Sequence, residues 1–323
     1  MKLLTHETQW RGGETVIAFG MFDGVHLGHA KLMRTAAELA RENALTSVVY
    51  TFSSHPMATY APEHVPPQLG TRPERIAAVA RMGIDVAVFR PFDGDYAAQT
   101  PEQFVQAFCE ALHPRHVVIG FNYSFGARGA GKAQDMIRLG ERFGFKTHVV
   151  APVELFGETV SSTRVRSAIT AGDLELTEAL LGRPYVLSGV IRHGKQLGRR
   201  LDFPTANLAF PTGKALPPRG VYAALAEVKG RVYMAAVNVG EHPTAPGGAP
   251  AIEANLLDYE GGEIYGYHMR LRFYWRLRGE KRFDSLDALR SEVLANREQV
   301  RSYLTRRDLA PQMAKNAIGS EKN

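Results

Sequence analysis

Through the first half of the chain, short apolar runs alternate with longer stretches of helical periodicity. Val16-Ile17-Ala18-Phe19 is an unbroken apolar run, the pattern of a strand buried on both faces. Beyond Gly28, Leu32, Ala36, Leu39 and Ala40 keep helical spacing and predict a helix over about residues 29–42. Strands are then predicted at 47–52, 86–89, 117–119 and 148–150, and helices at 73–82, 101–112 and 134–143. Two of these helices begin with proline, which suits a first helical turn. The alternation predicts an α/β domain with a doubly wound parallel sheet.

The pattern changes at Leu180-Leu181-Gly182-Arg183-Pro184, where the chain turns to strands. Runs at 185–191, 221–228, 232–239, 252–257 and 269–277, separated by Gly and Pro clusters, predict a small antiparallel β-barrel. A closing helix, capped near Asp284 or Ser285, carries Leu286, Leu289, Val293, Val300 and Leu304 along one side. The expected division is 1–182, 183–308 and a polar, frayed tail at 309–323.

Composition narrows the class. The 323 residues are 45% hydrophobic and 22% charged, which excludes disordered and fibrous chains. The single cysteine, Cys109, cannot form an intrachain disulfide, so a reducing cytoplasm fits best. After four residues the start turns polar and no apolar run reaches membrane-spanning length, so neither export nor membrane insertion is expected. The net charge of +6 makes polyanions plausible partners, with basic clusters at 192–200 and 270–282.

Candidate chemistry begins at Gly20-Met21-Phe22-Asp23-Gly24-Val25-His26-Leu27-Gly28-His29, between the first strand and the first helix. This is where α/β sheets open a ligand crevice. Glycines admit a phosphate close to the backbone, and the helix start presents N–H groups to an anion. His26 and His29, three residues apart, share a face and can donate to phosphate oxygens as charge grows on an attacked α-phosphorus. A bare His-x-x-His is more often a pair of surface histidines, but strand, glycines and helix together favour a nucleotide. Val160-Ser161-Ser162-Thr163-Arg164-Val165-Arg166 precedes a helix expected at 167–171. Capping and phosphate binding are both open for its hydroxyls. Residues 126–132 imitate a P-loop, but Ala133 stands where Ser or Thr should bind magnesium, so a mobile loop is expected instead.

The second half offers Thr205 and Asn207, two apart and rich in hard oxygen, after a basic loop with Gly194, Gly198 and Arg199. A capped turn is the plain reading; magnesium and nucleotide phosphates are the chemical one. In residues 251–258, alternation puts Glu253 and Asn255 opposite Ile252, Ala254 and Leu256. A strand carboxylate there can be an exposed edge residue or a base for an alcohol.

The pattern Gly-x-Phe-Asp-Gly-x-His-x-Gly-His, followed by Ser-Ser-Thr-x-x-Arg, resembles the nucleotidylyltransferases. With Pro-Thr-Ala-Asn at 204–207 it resembles the prokaryotic bifunctional riboflavin kinase/FMN adenylyltransferase (FAD synthetase) family, from about 16 to 304. The resemblance implies a Rossmann-like first domain and a flavokinase-like barrel. It implies an ATP site at Gly20, Phe22, Asp23, Gly24, His26, His29, Ser162, Thr163 and Arg166, with His26, His29 and Arg166 acting on the phosphates. Flavin contacts are implied at Asn122 and Phe52. In the barrel it implies ATP at Gly194, Gly198, Arg199, Thr205 and Asn207, Mg2+ on Thr205 and Asn207, and Glu253 as catalytic base. Riboflavin, FMN and FAD would be substrates or products, with no nucleic-acid or membrane partner and the oligomeric state open. The chain departs from the family at Ser54, Lys195, Asp202, His242-Pro243-Thr244-Ala245 and Asn255. Rival readings are an adenylyltransferase alone, acting on FMN or another phosphate with the barrel a binding or regulatory module, and an RNA binder using Arg270 to Arg282 with Phe273, Tyr274 and Trp275.

Overall fold

The computed structural model describes residues 1–193, 205–241 and 250–309. The chain packs as two units. One comprises Met1–Ser167, Leu180–Gly182 and Gly213–Ala215; the other comprises Ala168–Ala179, Arg183–Thr212 and Leu216–Asn323.

The first unit contains strands β1 (Lys2–Leu4), β2 (Thr15–Phe19), β3 (Thr46–Phe52), β4 (Val86–Arg90), β5 (Pro114–Gly120), β6 (Ser124–Phe125), β7 (Gly131–Lys132) and β8 (Lys146–Val150). Its helices are α1 (Leu27–Glu42), α2 (Met57–Tyr60), α3 (Arg72–Ala80), α4 (Gly94–Ala98), α5 (Pro101–Leu112) and α6 (Ala133–Phe143). The main sheet runs β1-β4-β3-β2-β5-β8, with every pairing parallel. Alternate residues of β2 serve two cores. Ile17 and Phe19 pack with Phe104, Phe108 and Leu112 of α5, whereas Val16 and Ala18 pack with Leu32, Met33 and Ala36 of α1. The expected doubly wound α/β domain is therefore present. Thr71 and Thr100 each close a capping box with proline in the first turn, which sets the starts of α3 and α5. The strand order reverses between β2 and β5, and a ligand crevice forms at the carboxyl ends of such a pair.

The structure adds detail at three places. The opening residues pair in parallel with β4 as an edge strand, too short for periodicity to reveal. The segment expected to be a mobile loop largely connects the two short strands of an antiparallel hairpin, β6 with β7, seated by buried Phe125. After the small hairpin β9 (Glu154–Leu155) and β10 (Glu158–Thr159), helix α7 spans Ser162–Ala171, so Ser162, Thr163 and Arg166 lie inside it, not ahead of it. Ser161 Oγ accepts from Arg164 N at 3.2 Å and starts the helix five residues early. Helix α8 (Leu174–Leu181) follows.

The barrel consists of β11 (Tyr185–Arg192), β12 (Thr205–Ala209), β13 (Gly220–Val228), β14 (Arg231–Glu241), β15 (Pro250–Leu256) and β16 (His268–Arg278). They close in the order β11-β12-β15-β14-β13-β16. Gly189 belongs to β11, where an added Cβ would lie 1.9 Å from the Ala209 carbonyl. Thr205–Ala209 is a ladder strand rather than a capped turn. The closing helix Leu286–Arg306 is capped by Ser285, whose Oγ accepts from Ala288 N at 3.1 Å. The expected side packs, but only along its later turns. Asn296, Val300 and Leu304 are buried, while Leu286 is 54% exposed, because the helix meets the barrel through its second half. Trp275 stacks on Tyr303 at 4.8 Å, Arg272 pairs with Glu227 at 2.9 Å, and Arg278 pairs with Glu292 at 2.9 Å. The basic aromatic stripe behind the RNA-binding reading is thus engaged within the chain. Gly194, Gly198, Arg199 and the departures at 195, 202 and 242–245 lie outside the described residues, as does the tail from 310.

Candidate active site

The turn from β2 into α1 folds tightly. Phe22, Gly24 and Val25 take φ of +48°, +81° and +43°, a left-handed run that is unusual for Phe and more so for β-branched Val. A Cβ on Gly20 would meet the Phe22 ring at 2.8 Å. His26 caps α1, its Nδ1 accepting from His29 N at 3.3 Å. The two imidazoles stack at 3.7 Å and 18°, and Phe22 presents an edge to His29 at 5.2 Å. Burial holds the His29 pKa well below its ordinary value, helped by the nearby charges of His26, Arg75 and Arg166. Its Nδ1 is buried with no hydrogen-bond partner among the described residues.

A cavity of about 620 Å³ opens beside this turn. Gly20, His26, Gly28, His29, Ser162 and Thr163 line it, bringing together the histidines and the hydroxyls expected to hold a nucleotide. Asn122 and Phe52 line it too. Around Phe52 stands an aromatic wall that includes Tyr50, Phe92, Tyr96, Phe104 and Tyr123, and Phe52 meets Phe92 at 5.0 Å and Tyr96 at 5.3 Å, both edge-on. The cavity wall thus combines groups suited to an anion with rings suited to a large aromatic ligand.

Asp23, Phe22, Gly24 and Arg166 are not in the cavity wall. The Asp23 carboxylate accepts from Leu69 N at 3.0 Å and 3.1 Å and from Gly70 N at 3.1 Å, and pairs with Arg166 at 2.7 Å. Arg166 Nε also donates to the Pro67 carbonyl at 2.7 Å, and Ser162 Oγ donates to the Asp23 carbonyl at 3.2 Å. Asp23 and Arg166 therefore brace the turn from behind. Arg75 went unnoticed in the sequence, although an arginine sharing a helical face with Ala78 and Val79 is a signal. It is buried, as both of those residues are. The aromatic wall was also missed, since its members come from separate elements.

In the barrel, Asn207 lies opposite Glu253 and Thr205 opposite Asn255. Residues directly opposite in an antiparallel pair share a face, so these four side chains stand together while Ala206, Leu208 and Ala254 fill the interior. Glu253 is not on an edge; β15 is paired on both sides, with Asn238 of β14 facing Glu253 from the other flank. Arg297 of the closing helix donates to Asn255 Oδ1.

The sequence matches the FAD synthetase family over residues 8–164 and the riboflavin kinase family over residues 181–304. A bifunctional riboflavin kinase/FMN adenylyltransferase of Bacillus subtilis is 34% identical over 90% of this chain and 93% of its own length. The Escherichia coli protein of that name is 32% identical over 89% and 92%. A crystal structure described as a macrolide-efflux protein from Streptococcus pneumoniae superposes with a TM-score of 0.84 at 31% identity, covering 93% of this chain and 98% of that one. The stacked histidines at the sheet opening, the paired oxygen donors on the barrel and these likenesses agree: the chain belongs to the bifunctional riboflavin kinase/FMN adenylyltransferase family.

Proposed function

We propose that the barrel phosphorylates riboflavin to FMN and that the α/β unit adenylylates FMN to FAD with release of pyrophosphate. The observation that carries the reading is the cavity whose wall brings His26, His29, Ser162 and Thr163 together with a set of aromatic rings. In the adenylyl step, an FMN phosphate oxygen bonds to the α-phosphorus of ATP as the bond to pyrophosphate breaks. His29, kept neutral by burial, has an N–H to give, and with His26 it would donate to the oxygens on which charge accumulates. Asn122 and Phe52 would contact the flavin. Arg166, held by Asp23, would act by its nearby charge and by bracing the turn.

In the kinase step, Glu253 would take the proton of the ribityl hydroxyl as that oxygen attacks the γ-phosphorus of a second ATP and the bond from that phosphorus to the departing ADP breaks. Thr205 and Asn207 offer hard oxygens on the same face as Glu253, a donor set that fits Mg2+. Bound there, Mg2+ would neutralise phosphate charge. Gly194, Gly198 and Arg199 would follow the phosphates. Among the described residues no helix is long and apolar enough to cross a membrane; with ATP and flavins as substrates, we assign the protein to the cytoplasm.

A chromatographic time course from riboflavin and magnesium-ATP tests both sites. FMN should appear and then decline into FAD. Riboflavin left unphosphorylated while added FMN becomes FAD would leave an adenylyltransferase with an accessory barrel. Failure to make FAD from FMN would overturn the reading of the cavity.

A further inference from the structure

Arg75 of α3 is 6% exposed and does not line the cavity. Burial of a guanidinium is unfavourable unless its hydrogens find acceptors. Here its Nη2 donates to the Met21 carbonyl at 2.7 Å, to Thr51 Oγ1 at 2.8 Å and to the Phe52 carbonyl at 2.9 Å, while its Nε is buried with no partner among the described residues. Thr51 Oγ1 donates to the same Met21 carbonyl at 2.9 Å. The guanidinium lies over the Phe89 ring, 5.4 Å from its centroid. One buried charge therefore ties the start of the β2–α1 turn to the end of β3.

The turn it ties is strained, with φ of +48° at Phe22 and +43° at Val25. Such conformations persist only where the surroundings over-determine them. Asp23 secures the far side of the turn through Leu69, Gly70 and Arg166, and Arg75 secures the near side. Phe22, between these anchors, sets its ring edge against His29.

We propose that Arg75 is a positioning residue for adenylyl transfer. By joining the Met21 and Phe52 carbonyls it keeps the strained turn in the shape that stacks His26 on His29 at the cavity, and it touches neither nucleotide nor flavin. The inference rests on the adenylyltransferase reading above.

Arg75→Met and Arg75→Lys in the full-length protein test it. Arg75→Met should lower kcat for FAD formation from FMN at least thirtyfold, leave KM for ATP within threefold, and leave FMN formation from riboflavin within twofold. Arg75→Lys, which keeps a charge and a donor, should recover at least tenfold of that loss. A kcat for FAD formation that stays within threefold in Arg75→Met, a lysine variant as poor as the methionine one, or equal loss of both activities would overturn the proposal. A readout independent of catalysis is the NMR titration of the histidine Cε1 protons. The charged and titratable groups acting on His29 are His26 from the helix start, Arg75 from α3 and Arg166 from α7. Arg75→Met should shift the His26 and His29 signals and raise the His29 midpoint, and unchanged signals would sink the proposal even if the protein makes no FAD.

Discussion

Replacing Asp23 by Asn isolates the brace behind the histidine turn. The asparagine Oδ1 can still accept from Leu69 N and Gly70 N, which lie 3.0 Å and 3.1 Å from Asp23 Oδ1. Its amide nitrogen, however, would face Arg166 Nη2, which now sits 2.7 Å from a carboxylate oxygen. Donor would meet donor, and a guanidinium whose side chain is 16% exposed would lose its counter-charge. Breaking a buried pair by removing one partner costs about 3–5 kcal/mol. Arg166 keeps the Pro67 carbonyl, so the loss here should fall at about 2–3 kcal/mol. In a unit of this size each kcal/mol moves Tm by about 2–4 °C, giving a drop of about 4–12 °C. Calorimetry of Asp23→Asn, Arg166→Met and the double variant measures it. The double variant should cost about 2 kcal/mol less than the two single costs added together, because both remove one interaction. A transition unmoved within about 1 °C for Asp23→Asn, or strict additivity, would show that the pair does not brace the turn.

His29→Ala should reduce FAD formation from FMN by about 10²–10³-fold while FMN formation from riboflavin continues, measured by chromatography of both products. Glu253→Ala should do the reverse, slowing FMN formation by about 10²–10⁴-fold and sparing FAD formation from supplied FMN. Because burial lowers the His29 pKa well below 6.5, the folded ring stays neutral as pH falls through 6.5, whereas the unfolded ring takes a proton. Its contribution to stability is therefore full above 6.5 and declines as pH drops towards the folded value. A pH–rate profile of FAD formation should show no His29 inflection near 6.5, and one that vanishes in His29→Gln would contradict this. Burial pushes the Cys109 thiol up to about 12, so the folded protein at mildly alkaline pH should resist iodoacetamide that labels the urea-unfolded chain once, read by mass spectrometry.

Periodicity and capping act over a few residues, and what they specify was legible along the chain. Helix α5 occupies residues 101–112 as read, since Thr100, Pro101 and Gln103 cap it and the spacing of Phe104, Phe108 and Leu112 marks the apolar face that β2 then covers. The glycine turn, the histidine spacing and the alternation around Glu253 are equally local. Other features depend on partners that no repeat announces. Asp23 meets a backbone 46 residues away, and Arg75 reaches Met21 from 54 residues away. Phe273 and Tyr274 are both buried although adjacent: strand alternation sends them to opposite faces, and Tyr274 packs with Val300 and Leu304 of the closing helix. That same helix leaves Leu286 exposed, since burial goes to whichever turns meet the barrel and not to every apolar position on the stripe. The sequence alone determined the two layered architectures and the chemistry of the turn, because those follow from backbone period and side-chain type. Tertiary structure decided which charges pair, which aromatic rings converge and which face is covered, because those free energies arise only when distant segments exclude water from one another.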